Sequence, residues 1–342
     1  MKVDKGFNLY VDITAACNAA CPFCIAPTIG RIDGPKFMDG LTYGLDFTQK
    51  HGGSVQVTGG EPSLSRRLPA VLAEVGKRAF HRKVVNSNGS GFSIGGVDEL
   101  VKAGITHVNL SRHHYVEHRN QEVMRFSHAE WGTNERFIKA VRMIHAAGIL
   151  VRVNCNLLAG YIDSAVEMSR FIEWCESFGV YNVSFSETFP LGVFDHNLPI
   201  EVGYAERMAV ELRTIVSQLD AEFILVHEST TLLMSAWGAP NNWISSFEIG
   251  GHRRYWGTRS GGQFSIKTLA GWNSDGMPRN PSYSKESDPE LRKDELYFAV
   301  VHPDGTVSAS WDKRERILFT PQEVSPIQLF WPQKSPFVEV TA

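Results

Sequence analysis

The sequence predicts an α/β fold built on a parallel sheet, followed by an irregular, β-rich extension. Three observations carry that expectation. Residues 7 to about 226 alternate short β-type runs with amphipathic helical stretches, as a parallel sheet requires, since each crossover needs a helix. Within the runs, apolar and polar residues alternate with period two. Beyond about residue 230 Gly, Pro, Ser and Asn become frequent, and six of the eight tryptophans gather there, from Trp237 to Trp331. Two units are therefore expected, 1–226 and 227–342, the second covering the first and a candidate for substrate binding.

The strand candidates are 7–13, 54–58, 83–86, 107–110, 150–154, 181–186 and 223–226. Leu9, Val11 and Ile13 alternate with Tyr10 and Asp12, and Val55 and Val57 with Gln56 and Thr58. Val108 and Leu110 stand against Asn109 and Ser111, Val151 and Val153 against Arg152, Asn154 and Asn156, and Val183 and Phe185 against Asn182, Ser184 and Ser186. The helix layer takes the apolar set, so the opposite, concave face is lined by polar side chains suited to polar ligands.

Between the strands, Phe137, Val141 and Ile144 form a stripe behind Asn134 as N-cap and ahead of Gly148 as stop. Met168, Phe171, Ile172 and Cys175 form a second stripe ended by Gly179, and Met208, Leu212, Ile215 and Leu219 a third. Farther on, Leu296 to Ser310 reads as a hairpin around Pro303-Asp304-Gly305.

Composition narrows the function. An apolar fraction of 43% is ordinary for a globular protein, and a net charge of −3 gives no basis for bulk nucleic-acid binding. No apolar run reaches the roughly 18 residues needed to span a membrane. The first strand begins almost at once, so no targeting segment is expected and the cytoplasm is the expected compartment.

Chemistry concentrates in Cys17, Cys21 and Cys24, a C-x3-C-x2-C run directly after the first strand. Three thiolates on one tight loop can hold three irons of a cubane and leave the fourth open. A structural zinc site needs four protein ligands, and the remaining cysteines, Cys155 and Cys175, are distant and isolated. Cys175 lies on an apolar helix stripe and Cys155 has the apolar parity of its strand, so both read as core residues rather than hydrogen-atom donors. Gly59-Gly60-Glu61-Pro62 follows the second strand.

With these two motifs, in this order and at strand ends, the chain resembles the radical S-adenosylmethionine (SAM) superfamily. The pattern is nearest the branch of molybdenum-cofactor cyclases and SPASM-type enzymes. The resemblance covers residues 7 to about 226 and implies a partial (β/α)6 parallel barrel, with one 4Fe–4S cluster and SAM as cofactors. In such enzymes the open iron chelates SAM and the Gly-Gly-Glu-Pro turn meets its ammonium, which places Gly59, Gly60, Glu61 and Pro62 at the cofactor.

The same resemblance sets Phe23 near the adenine, with simple shielding of the cluster as the alternative. It sets Ser87-Asn88-Gly89 on SAM's polar groups, with a plain turn as the alternative. Ser111 matches a serine on SAM, and Asn154 an asparagine near the ribose. The Asp-Gly that usually follows the serine is replaced by Arg112-His113-His114.

Residues 112–131 have no counterpart in the resemblance. Their cationic character suggests that Arg112, with His113 or His114, grips an anionic substrate group; a solvated charged face is the alternative. Arg152, Asn156, Ser184 and Ser186 are further candidates for substrate on the concave face. Glu187 resembles an acidic position that contacts ribose or substrate, or it caps a turn. Relatives place auxiliary-cluster cysteines after a similar Pro-Asp-Gly-x-Val turn, whereas Ser308-Ala309-Ser310 follows it here and the region holds no cysteine.

The resemblance implies an enzyme that reductively cleaves SAM, using an external one-electron reductant of flavodoxin or ferredoxin type, and takes a hydrogen atom from a small-molecule substrate. The expected substrate is a sugar, sugar acid or nucleoside-like compound in natural-product or cofactor biosynthesis. The expected outcome is redox-neutral, a lyase or isomerase reaction: decarboxylation, epimerisation, rearrangement or carbon–carbon bond formation. A peptide-modifying enzyme and a non-catalytic iron–sulfur sensor or carrier are the alternatives.

Overall fold

A computed structural model describes residues 2–24, 33–180, 182–186, 203–210, 223–233, 242–251, 263–268, 295–309 and 317–321. The first part runs β1 (Lys2–Asp12), α1 (Phe37–Lys50), β2 (Ser54–Thr58), α2 (Leu68–Gly76), β3 (Lys83–Ser87), α3 (Val97–Lys102) and β4 (His107–Ser111). It continues with α4 (Glu117–Met124), α5 (Asn134–Ala146), β5 (Leu150–Asn156), α6 (Ala165–Glu176), β6 (Asn182–Ser186) and the short α7 (Tyr204–Arg207). Then come β7 (Phe223–Leu233), β8 (Asn242–Gly251), β9 (Gln263–Thr268), β10 (Glu295–Val301), β11 (Val307–Ser308) and β12 (Ile317–Phe319). Among the described residues no helix is long and apolar enough to cross a membrane.

All twelve strands form one open sheet, ordered β12-β11-β10-β1-β2-β3-β4-β5-β6-β9-β8-β7. β1 to β6 are mutually parallel neighbours, the α/β arrangement of a partial barrel. The strand beginning at 223 does not extend this series. β9 pairs in parallel with β6, and β7 lies beyond it across two antiparallel pairings. At the opposite edge β10 pairs in parallel with β1, and β11 folds back on it around Pro303-Asp304-Gly305, the expected hairpin. That turn docks on Gly34 and Arg67: Gly34 N–H donates to Pro303 O at 2.9 Å, and Arg67 donates to Pro303 O at 2.9 Å and to Gly34 O at 2.8 Å.

The period-two alternation sorts residues as expected. Leu9, Val11, Val55, Val57, Val108, Leu110, Val153, Val183 and Phe185 are buried in one core, together with Cys155 and Cys175. α5 and α6 cover it with Phe137, Val141, Ile144, Met168, Phe171 and Ile172. Each large side chain so buried contributes about 1.5–3 kcal/mol relative to exposure. The N-cap of α5 is Thr133, whose Oγ1 accepts from Arg136 N–H at 3.4 Å; Asn134 is the first helical residue instead. Of the third expected stripe only Met208 is among the described residues, just past α7.

The other face carries a polar ladder. Asn109 Nδ2 donates to Asn86 Oδ1 at 2.8 Å, Asn86 Nδ2 reaches Gln56 Oε1 at 3.5 Å, and Gln56 hydrogen-bonds Tyr10. Tyr10 on β1 also feels the charge of Arg152 on β5. Four strand spacings in a flat sheet would part them by roughly 19 Å, so the sheet curls and this face is concave.

Candidate functional site

The cysteine loop leaves β1 and stays tied to the turn after β2. Ile13 N–H donates to Thr58 O at 3.0 Å, Gly60 N–H to Thr14 O at 2.7 Å, and Glu61 N–H to Ala16 O at 2.8 Å. Two glycines make this approach possible. Gly59 has φ +146°, and a Cβ on Gly60 would stand 2.1 Å from Ala16 O.

Asn18, inside the motif, fixes the loop from a third direction. Its Nδ2 donates to Ser90 Oγ at 3.0 Å and its Oδ1 accepts from Asn88 Nδ2 at 2.8 Å. Neither Asn18 nor Ser90 stood out in the sequence, although Asn18 sits between two cysteines.

Cys17 is exposed, while Cys21 and Cys24 are half-buried. Burial, followed by the neighbouring Cys24 and Cys17, pushes the Cys21 thiol well above its usual pKa. Three thiols gathered on one loop fit a cluster that replaces their protons with iron. Among the described residues no group of three or more His, Cys, Asp or Glu is spaced for a single metal ion.

Glu61 is buried and its carboxylate is heavily engaged. Oε1 accepts from Ser63 N–H at 2.9 Å, Ser63 Oγ at 2.5 Å and Ser87 Oγ at 2.6 Å, while Oε2 accepts from Asn88 N–H at 2.6 Å. Burial raises its pKa and these four donors oppose the rise. Glu61 therefore locks the Gly-Gly-Glu-Pro turn, with Pro62 opening a short 3-10 turn, to the Ser87-Asn88-Gly89 turn after β3.

Arg112 does not belong to the concave face. Its Nε donates to His114 O at 3.1 Å, its NH1 to Gly132 O at 2.7 Å and its NH2 to Asn134 Oδ1, and its guanidinium lies over Phe137 and Trp174. Strand alternation explains this: Ser111 faces the concave side, so the next residue turns to the helices. Burial lowers the Arg112 pKa to about 9, which leaves it charged at neutral pH. The expectation that Arg112 grips substrate is thus corrected; it anchors the loop to α5.

His113 and His114 are buried too, so residues 112–114 are not a solvated face. His113 Nδ1 accepts from Asn156 N–H at 2.9 Å, which leaves the ring proton on Nε2, and the ring packs edge-on against Phe23. Burial holds the pKa of His113 down to about 3 and that of His114 to about 4. His114 Nδ1 accepts from Val116 N–H at 2.9 Å.

On the concave face Ser111 is in register with Asn154, and Asn154 with Ser184. Asn109 Oδ1, Asn154 Oδ1 and Ser184 Oγ are buried without a hydrogen-bond partner. Arg152 shares this face; with Arg82 it acts on both Tyr10 and His107. Asn156 pairs with Ser186 in the backbone. Glu187 lies outside the described residues. Phe23 joins Val123, Leu158 and Tyr204 in a small apolar cluster against which Cys21 packs.

The open parallel sheet, the three-cysteine loop and the turn locked to it describe one class of protein. The model of the Radical SAM superfamily matches residues 11–175, and the chain carries a radical SAM domain. Its cofactors are those of the family, a 4Fe–4S cluster and SAM.

Among curated proteins the chain is similar to GTP 3',8-cyclase of Sinorhizobium medicae (strain WSM419), 25% identical over 258 residues that cover 71% of this chain and 66% of that protein. It is also similar to GTP 3',8-cyclase of Paracoccus denitrificans (strain Pd 1222), 27% identical over 209 residues, 58% of this chain and 55% of that protein. The chain thus spans between about half and two thirds of the length of these relatives. Among solved structures, Streptococcus suis SuiB bound to S-adenosylmethionine aligns with a TM-score of 0.48 and 16% identity, over 62% of this chain and 46% of that one.

Proposed function

We propose that the chain is a radical SAM enzyme acting on a polar, anionic small molecule held on the concave face, with a redox-neutral outcome. The observation that carries this reading is the row of buried, uncommitted polar atoms at Asn109, Asn154 and Ser184 on three adjacent strands. A buried polar atom without a partner is costly, and a bound polar ligand relieves that cost.

When bound, the cluster and SAM supply one-electron chemistry that removes a hydrogen atom from an unactivated C–H bond. The chain's own residues have other tasks. Cys17, Cys21 and Cys24 hold the cluster, and Gly59, Gly60, Ser87, Asn88, Ser111 and Asn154 line the SAM side. Phe23, with Val123, Leu158 and Tyr204, keeps water from Cys21. Arg152 and Arg82 give the concave face a positive field for an anionic group, the role first assigned to Arg112. Asn156, Ser184, Ser186 and Glu187 remain candidates for the substrate's polar groups. A nucleotide, the substrate class in the relatives' name, meets both demands.

The redox-neutral outcome rests on cysteine supply. Outside the loop the chain has only Cys155 and Cys175, both buried in the core, so a second cluster to accept electrons lacks ligands here.

The test is anaerobic turnover of the reconstituted protein with a chemical reductant, SAM and deuterated nucleotides, sugars or sugar acids. Deuterium found in 5′-deoxyadenosine from an anionic compound supports the reading. Transfer from a neutral peptide alone, or absence of SAM cleavage, overturns it in favour of a peptide-modifying enzyme or an electron carrier.

A further inference from the structure

We propose that the segment from α4 through Ser127 is a brace for the cysteine loop, and that Arg125 is its positioning residue. The sequence marks residues 112–131 as a stretch of its own, and the fold lays residues 123–127 of it against Asn18, Ala19, Ala20 and Cys21 of the loop. Ala20 N–H donates to Met124 O at 3.1 Å and to Arg125 O at 3.2 Å. Ala19 and Phe126 form an isolated antiparallel bridge, and Ser127 N–H donates to Asn18 O at 2.9 Å. Met124 O also stands 3.5 Å from Cys21 Sγ. Val123, one residue earlier, packs in the apolar cluster with Phe23 and against Cys21.

The brace depends on one backbone conformation. Arg125 has φ 51° and ψ 53°, and it is the one non-glycine residue at positive φ among the described residues. That left-handed turn ends α4 and swings the carbonyls of Met124 and Arg125 toward Ala20. Arg125 N–H donates to Gln121 O at 2.8 Å, and Gln121 Nε2 donates to Phe126 O at 3.0 Å, which closes the turn on itself. A left-handed conformation is uphill for any residue with a Cβ and persists where surrounding contacts impose it. The Arg125 side chain is exposed, but its guanidinium lies over the Tyr204 ring and its charge acts on Cys21, so the part played by the backbone is isolated by comparing two variants that both lack that side chain. The brace gives the loop a second hydrogen-bonded edge and covers Cys21.

The experiment compares Arg125→Gly with Arg125→Val in reconstituted full-length protein, reading iron release to a chelator and the electron paramagnetic resonance spectrum of the reduced cluster. Glycine accepts the left-handed turn and valine resists it, and both remove the guanidinium, so the valine protein should lose iron about tenfold faster than the glycine protein. The valine spectrum should broaden as the loop samples several positions, and the glycine spectrum should stay sharp. Should Arg125→Val fail to fold, Ser127→Pro removes the N–H bonded to Asn18 O and should also hasten iron release. Equal iron retention in all variants overturns the brace. Equal loss in Arg125→Gly and Arg125→Val overturns the backbone role of Arg125. These readouts need no substrate, so they stand or fall apart from the proposed reaction.

Discussion

Arg112 is held by three hydrogen bonds on the helix side of β4, so replacing it acts on the fold rather than on substrate. Arg112→Lys keeps a charge but cannot serve His114 O, Gly132 O and Asn134 Oδ1 together. It should destabilise the protein by about 2–4 kcal/mol in chemical denaturation and leave the affinity for substrate unchanged. The two histidines beside it predict an acid response. His113 and His114 have folded pKa values of about 3 and about 4, below the ordinary 6.5. Above 6.5 both states are neutral and nothing is lost. As pH falls from 6.5 toward 4 the unfolded chain binds two protons that the native state refuses, so stability drops by about 1.4 kcal/mol per pH unit for each histidine. Urea unfolding of the apoprotein between pH 7 and pH 4 measures this. An unchanged slope in a His113→Asn, His114→Asn double variant would assign it elsewhere. The burial of Cys155 and Cys175 was legible from parity and stripe, and the same parity, carried one residue past Ser111, points Arg112 away from the concave face.

At the scale of elements, the site is two turns pressed together, and the closest approach is at Gly60. Gly60→Ala drives a Cβ into Ala16 O, so the cysteine loop must shift. The variant should fold, with an apoprotein far-ultraviolet spectrum like wild type, yet retain clearly less iron after gel filtration. Full iron retention would show that the contact is not needed. β1 to β6, α5 and α6 were legible because their residues alternate or repeat over several turns. α4 was not: Glu117–Met124 is mostly polar, with only Val123 and Met124 apolar, and its reason for being helical lies in packing against the cysteine loop. The turn after β3 was legible as a turn, but the four donors it shares with Ser63 around Glu61 join residues up to 27 apart, which local pattern does not encode.

At the scale of the molecule, a curled sheet sets an apolar core on one face and a polar ladder on the other, and the cysteine loop stands at the ends of its strands. That division was legible from alternation alone. The edges were not, because β10 beside β1 and β9 beside β6 are pairings between distant segments, decided by which strand edge is left open. The central claim is that one loop holds one cluster, with an iron left for SAM. Mössbauer spectroscopy of protein reconstituted with 57Fe, recorded with and without SAM, tests it most directly. The account predicts about four irons per chain, one of which changes its signal when SAM is added, and loss of the cluster in Cys21→Ala. About eight irons per chain, a spectrum indifferent to SAM, or an intact cluster in Cys21→Ala would contradict it.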